Sequence, residues 1–218
     1  MQIATWNVNS VRSRLEQVTG WLQNHPLDVL CLQETKVVDE DFPRSPFTDI
    51  GYQAYISGQK SYNGVALISR TDLTDVSAGF AGVLDAKSVD DLDEQKRVIT
   101  GVLDGVRIVN LYVPNGSSVG SDKYAYKLRW LTLLQDYLKA LLAQNPSLLV
   151  CGDFNIALED RDIYAPKKPN HIMASPAERD ALRAVMDLGL QDAFRKFTQE
   201  GDHFSWWDYR TGAFNRNR

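Results

Sequence analysis

At four points in this 218-residue chain an apolar, β-rich run ends in a polar side chain that packing does not explain. Asn7 follows Ile3–Trp6, Glu34 follows Val29–Leu32, Asn115 follows Val109–Val113, and Asp153 and Asn155 follow Leu148–Cys151. Strand ends hold side chains within the tolerance that a reacting site needs. The donors are carboxylates and carboxamides only, and no His or Cys pair stands at zinc spacing. Oxygen ligands of this kind favour a hard cation, Mg²⁺ or Mn²⁺, which keeps several waters and meets a phosphate. Taken singly, an Asn or Asp after a strand is an ordinary turn former. Four such ends in one chain point to a site.

The elements that must position these residues follow from periodicity. Ile3–Val8, Asp28–Glu34, Tyr52–Ile56, Asn63–Ser69, Val98–Leu103, Val106–Val113 and Leu148–Cys151 read as strands. Asp104-Gly105 joins two of them in a hairpin. Ser13–Gln23 has helical spacing and is closed by Pro26. Lys123–Ala143 is a long helix with Leu128, Leu131, Leu134, Leu138, Leu141 and Leu142 toward a core. Ser175-Pro176-Ala177-Glu178 opens another helix with a capping box, and Gly189 is its expected stop. Residues 35–50, the acidic 86–94 and 156–174 read as loops, and Phe204–Tyr209 as a last strand. Hairpins among intermixed helices predict an α/β fold of two mixed β-sheets packed together with helices outside.

Composition bounds the class. The net charge is −4, with 44% hydrophobic and 24% charged residues, as in an ordinary globular domain. A single domain over 1–218 is expected. A dedicated nucleic-acid binder is usually basic, and this chain is not. No apolar run has the length of a membrane span, and the N-terminus lacks the basic-then-apolar pattern of a secretory signal. Two cysteines make no disulfide framework, so the expected compartment is the cytoplasm. Cys31 and Cys151 lie in apolar runs and read as core thiols.

Six stretches together resemble the exonuclease III family of DNA-repair nucleases. They are Thr5-Trp6-Asn7-Val8-Asn9-Ser10-Val11-Arg12, Leu32-Gln33-Glu34-Thr35-Lys36, Tyr62-Asn63-Gly64-Val65-Ala66, Asn110-Leu111-Tyr112-Val113-Pro114-Asn115-Gly116, Gly152-Asp153-Phe154-Asn155-Ile156-Ala157 and Phe204-Ser205-Trp206-Trp207-Asp208-Tyr209-Arg210. They run in family order through the chain, and the resemblance implies the fold: a four-layered sandwich of two mixed β-sheets flanked by helices. The resemblance implies a Mg²⁺-dependent phosphodiesterase acting as a monomer on double-stranded DNA with abasic sites or blocked 3′ ends. Its implied activities are abasic-site incision and 3′–5′ exonuclease cleavage, releasing 3′-OH ends.

The same resemblance assigns roles. Glu34 holds the metal with Asn7 beside it, and Asp153 and Asn155 lie near it. Asp153 orients or deprotonates the attacking water. Asn155 hydrogen-bonds the scissile phosphate, Tyr112 contacts or polarises it, and Asn115 is a further phosphate contact. Trp206 packs against a flipped-out sugar that lacks its base.

Two family motifs, an Arg-Ile-Asp type and a final Ser-Asp-His, have no counterpart in residues 1–218. His25, His171 and His203 sit in no motif and read as surface residues. The expectation is a C-terminally incomplete sandwich, its final strands missing, with little or no turnover. Two other readings remain at this point: a phosphatase of the same superfamily acting on inositol phosphates or lipids, and a non-catalytic DNA-binding module. Lys123, Lys127 and Arg129 read equally as phosphate contacts or as a solvated helix face, and Lys167 and Lys168 are similarly open.

Overall fold

The computed structural model describes residues 1–164, 170–208 and 212–216. The chain divides into two compact units, Met1–Val113 with Asp136–Phe154, and Pro114–Gln135 with Asn155–Arg218. Its strands are β1 (Ile3–Asn7), β2 (Val29–Gln33), β3 (Gln53–Ser57), β4 (Val65–Ser69), β5 (Thr74–Ala78), β6 (Val98–Leu103), β7 (Val106–Tyr112) and β8 (Leu148–Asp153). The α-helices are α1 (Leu15–Asn24), α2 (Ser45–Thr48), α3 (Ala86–Val89), α4 (Asp122–Gln144), α5 (Pro176–Met186) and α6 (Ala193–Phe197). No helix among the described residues is long and apolar enough to cross a membrane.

The first unit holds both sheets, in the orders β1-β2-β4-β3 and β5-β6-β7-β8. Each is mixed: β1 and β2 run parallel, as do β7 and β8, and the other pairs are antiparallel. This is the two-sheet α/β architecture expected from the sequence. Strand alternation sorts the side chains. Leu30 and Leu32 of β2 join Ala66 and Ile68 of β4 in a core with Val18 and Leu22 of α1. Val29 and Cys31 face the other way, with Val65 and Leu67, and meet Ile99, Leu103 and Ile108 of the second sheet. Both cysteines lie in that inter-sheet core as free thiols. The Cys31–Cys151 hydrogen bond, with burial, holds the Cys31 thiol well above its usual range.

The inter-sheet core is not purely apolar. Gln33 and Asn110, both buried, meet between the sheets, with Gln33 Nε2 donating to Asn110 Oδ1 at 2.7 Å. Asn110 Nδ2 in turn donates to the backbone oxygens of Leu32 and Ala66, each at 2.9 Å. One carboxamide from β7 therefore binds β2 and β4 of the facing sheet. Asn110→Ala should cost about 2–4 kcal/mol, because it leaves buried polar groups unsatisfied as well as a void. Urea denaturation measures this, and an unchanged midpoint would show that the amide is dispensable.

Helix ends follow the local signals. Ser175 accepts from the Glu178 N–H, the Glu178 side chain returns to the Ser175 N–H, and Pro176 fills the first helical position. The helix ends at Met186, with Gly189 further along the exit turn at φ +101°. Asp104 and Gly105 both have positive φ, at 51° and 78°, as a two-residue type I′ hairpin requires.

Several elements depart from expectation. β5 lies in a stretch too polar to announce a strand; it is an edge strand, mostly exposed, with a register shift against β6. The 35–50 loop contains α2, seated by buried Phe47. The acidic 86–94 segment is helical turns rather than loop: Leu92 is buried, and Asp93 accepts from the N–H groups of Phe80 and Ala81. Phe204–Asp208 is not a strand; Tyr209 and Arg210, like Lys167 and Lys168, lie outside the described residues.

Candidate active site

In the first unit, β1, β2, β7 and β8 deliver four of the expected side chains. Asn7 pairs with Gln33 at the ends of β1 and β2, and Tyr112 with Asp153 at the ends of β7 and β8. Glu34 follows β2 in a left-handed conformation, φ +53°, in a turn that pairs Thr35 N–H with the Gly64 oxygen at 3.1 Å. Asn7 is the bridge. Its Nδ2 donates to Glu34 Oε1 at 2.8 Å and to Asp153 Oδ2 at 2.9 Å, while its Oδ1 accepts from the Asn9 N–H. The amide therefore spaces the two carboxylates across the gap between the sheets.

Electrostatics set the protonation states. Burial works to raise the Glu34 carboxyl, but hydrogen bonds from Lys36 and Asn7, the Lys36 charge and the Tyr112 hydroxyl outweigh it and hold it below its usual range. Lys36 Nζ lies 2.8 Å from Glu34 Oε2. Burial and the Glu34 charge push the Tyr112 hydroxyl far above its ordinary value, against the opposing Arg97 guanidinium. That guanidinium sits 4.6 Å from the Tyr112 ring centroid. Tyr112 is thus a proton-bearing donor at neutral pH rather than a base.

A stability consequence follows from the depressed Glu34 value. Its contribution is fully present above the unfolded-state pKa and is lost as pH falls through the lower folded value. The difference in melting temperature between the wild type and Glu34→Gln should therefore be flat near neutrality and shrink in acid, below about pH 4. A difference that instead grows on acidification would contradict the sign.

The first unit's donors suit a hard cation. Glu34 and Asp153 offer carboxylate oxygens, and the Asn7 amide nitrogen donates to both. Among the described residues no group of three His, Cys, Asp or Glu is placed to hold a metal. Two carboxylates match the Mg²⁺ habit of one or two protein oxygens completed by water and phosphate.

In the second unit, Asn115 and Asn155 come together: Asn115 Nδ2 donates to Asn155 Oδ1 at 3.4 Å. Asn155 is buried and left-handed, φ +49°. Trp206 is 58% exposed; the neighbouring Trp207 is half-buried, with its ring edge-on to Phe214. His25 and His203 are exposed, stacked on Trp21 and edge-on to Phe194, and His171 is half-buried.

Lys127 is neither phosphate contact nor solvated face. It is fully buried, paired with Glu178 at 2.5 Å. Lys123 and Arg129 are exposed. Sequence reasoning also missed the structural use of Gln33, Lys36 and Asn110, although all three stand inside quoted motifs.

The comparisons with known proteins agree with this fold. The profile of the Endonuclease/Exonuclease/phosphatase family matches residues 4–218. An exodeoxyribonuclease III of Haemophilus influenzae is 32% identical over 231 aligned positions, covering 100% of this chain and 84% of that protein. Among solved structures, an AP endonuclease from Archaeoglobus fulgidus superimposes with a TM-score of 0.90 and 39% identity, over 100% of this chain and 82% of that one. A 3′ phosphatase from Neisseria bound to its product DNA hairpin gives a TM-score of 0.91 and 39% identity, over 99% and 82%.

Proposed function

Since the chain belongs to the Endonuclease/Exonuclease/phosphatase family, in its exonuclease III and AP endonuclease branch, and is a nuclease-type hydrolase, we propose that it is a Mg²⁺-dependent phosphodiesterase. Its substrate is duplex DNA carrying abasic sites or blocked 3′ ends; it acts as a cytoplasmic monomer and leaves 3′-OH ends. The observation that carries this reading is the Asn7 amide spanning Glu34 and Asp153, with the protonated Tyr112 hydroxyl on Glu34.

The residues divide the work. Asp153, at the end of β8 and accepting from Asn7, takes the proton of the attacking water. Asn7 keeps its carboxylate apart from that of Glu34 and oriented. Tyr112 donates its hydroxyl hydrogen to a phosphoryl oxygen as negative charge builds there. Asn155 and Asn115 supply carboxamide donors to the phosphate. Glu34 would be the cation's carboxylate ligand, with Asn7 and Asp153 beside it in the first unit; the family resemblance also counts Asn155 among the metal's residues. Bound Mg²⁺ supplies charge neutralisation at the phosphoryl oxygens and stabilises the departing 3′-oxygen. Trp206 offers an apolar face to a sugar with no base.

Nicking of an abasic plasmid with Mg²⁺ or EDTA tests this. The expected result is nicking that requires the metal. Phosphate release from a phosphoinositide with no nicking would favour a phosphatase. Salt-sensitive duplex binding without cutting would favour a DNA-binding module.

A further inference from the structure

The second unit contains an ion pair that the proposed chemistry does not use. Lys127 and Glu178 are both fully buried, on α4 and α5. Such a pair is weak grounds for stability, because desolvation cancels much of its attraction. Its geometry points elsewhere. The Lys127 ammonium donates to Glu178 Oε1 at 2.5 Å, to the Asn155 backbone oxygen at 2.8 Å and to the Asn115 backbone oxygen at 3.2 Å. An ammonium has three N–H bonds, and these three acceptors match them.

The carboxylate is equally committed. Glu178 Oε1 also accepts from the Met173 N–H at 3.1 Å. Its Oε2 accepts from the Ser175 N–H at 3.0 Å and the Ser175 hydroxyl at 2.7 Å. That hydroxyl also meets the Tyr124 hydroxyl, from one turn earlier on α4, at 2.7 Å. The charge is thereby fixed on both helices, and its two remaining donors are aimed at peptide oxygens 40 residues apart in the chain. Those peptides belong to the two asparagines whose side chains also touch.

We propose that Lys127 is the positioning residue for Asn115 and Asn155. Through their backbone oxygens it sets the direction in which both carboxamides present their donors, and Glu178 holds it there. Asn155 has a left-handed backbone, φ +49°, a sparsely populated conformation whose peptide oxygen the Lys127 ammonium holds. The inference rests on the reading of these two asparagines as phosphate contacts.

The test is Lys127→Met combined with Glu178→Gln in the 218-residue chain. The change removes both charges together, so no unpaired buried ion is left. Three measurements are made: thermal melting, side-chain amide signals of ¹⁵N-asparagine-labelled protein, and affinity for an abasic duplex in EDTA. The Asn115 and Asn155 amide signals should shift or broaden, while those of Asn7 and Asn110 hold. Affinity should fall about tenfold, as it should in Asn115→Ala/Asn155→Ala, with no further loss when the two sets are combined. Unmoved amide signals overturn the proposal, and so does undiminished affinity in a protein whose asparagine variant binds weakly.

If the asparagine variant itself binds normally, the phosphate-contact reading falls, and the amide signals alone decide the positioning. If the paired variant does not fold, Lys127→Arg keeps the charge and displaces the donors. The same two signals must then move, and stationary signals overturn the inference.

Discussion

Asp153→Asn should lower the rate of abasic-site cleavage by roughly 10²–10⁴-fold, the usual span for loss of a general base. The substitution preserves shape. The Val113 N–H still binds the residue 153 backbone oxygen, which lies 2.9 Å away. Asn7 Nδ2 still finds an acceptor, because the new carboxamide can present its oxygen. What disappears is the ability to take a proton from water. Single-turnover cleavage with Mg²⁺, together with melting temperature, separates the two effects. The expected result is an unchanged fold with lost chemistry. A rate within a factor of a few of the wild type would remove Asp153 from the role of base.

Gly152→Ala, one residue away, should fail for the opposite reason. Gly152 pairs with Leu111 in the parallel ladder and has φ +135°. A Cβ there would lie 1.9 Å from the Leu111 backbone oxygen and 2.9 Å from its carbonyl carbon and nitrogen. Backbone cannot swing aside as a long side chain can, so β7 and β8 would have to separate where they present Tyr112 and Asp153. The loss should reach about 4 kcal/mol or more, in the range reserved for strain and broken buried networks. Chemical denaturation and soluble yield check it; an unchanged midpoint would show that the ladder can relax. The glycine of the Gly-Asp motif is thus explained by the neighbouring strand.

How legible these features were in the sequence varied with the distance over which each is determined. Asn7, Glu34 and Asp153 stood out because a polar residue closing an apolar run is visible locally, and strand alternation then places the inward-facing ones on facing sheets. β5 was invisible because an edge strand with exposed faces needs no apolar pattern. The Phe204–Asp208 stretch misled because aromatic residues favour strands only where a partner strand is present.

Lys127 was the instructive miss. A helical lysine reads as surface, and its partner Glu178 is 51 residues away. One signal was available: Tyr124, Lys127, Leu131, Leu134, Leu138 and Leu141 fall on one helical stripe, and all are buried. A charge in phase with an apolar face calls for a buried counter-ion, and the capping-box Glu178 supplies it. Asn110 had a similar signal, as a carboxamide in the middle of an otherwise apolar strand.

The carboxamide contact between Gln33 and Asn110 also bears on how the chain avoids misassembly. Sliding β7 by one residue would send Asn110 to the opposite face and bring Val109 or Leu111 in its place. Apolar packing alone would tolerate that exchange, since all three positions are buried and two are aliphatic. The carboxamide does not: the slip would strand the Gln33 amide and forfeit both bonds to the Leu32 and Ala66 oxygens. At about 1–3 kcal/mol for each buried group left unsatisfied, the wrong alignment loses decisively. A single polar side chain thus acts as a proofreading element for the assembly of the two sheets, rejecting a register that oil-like contacts would accept.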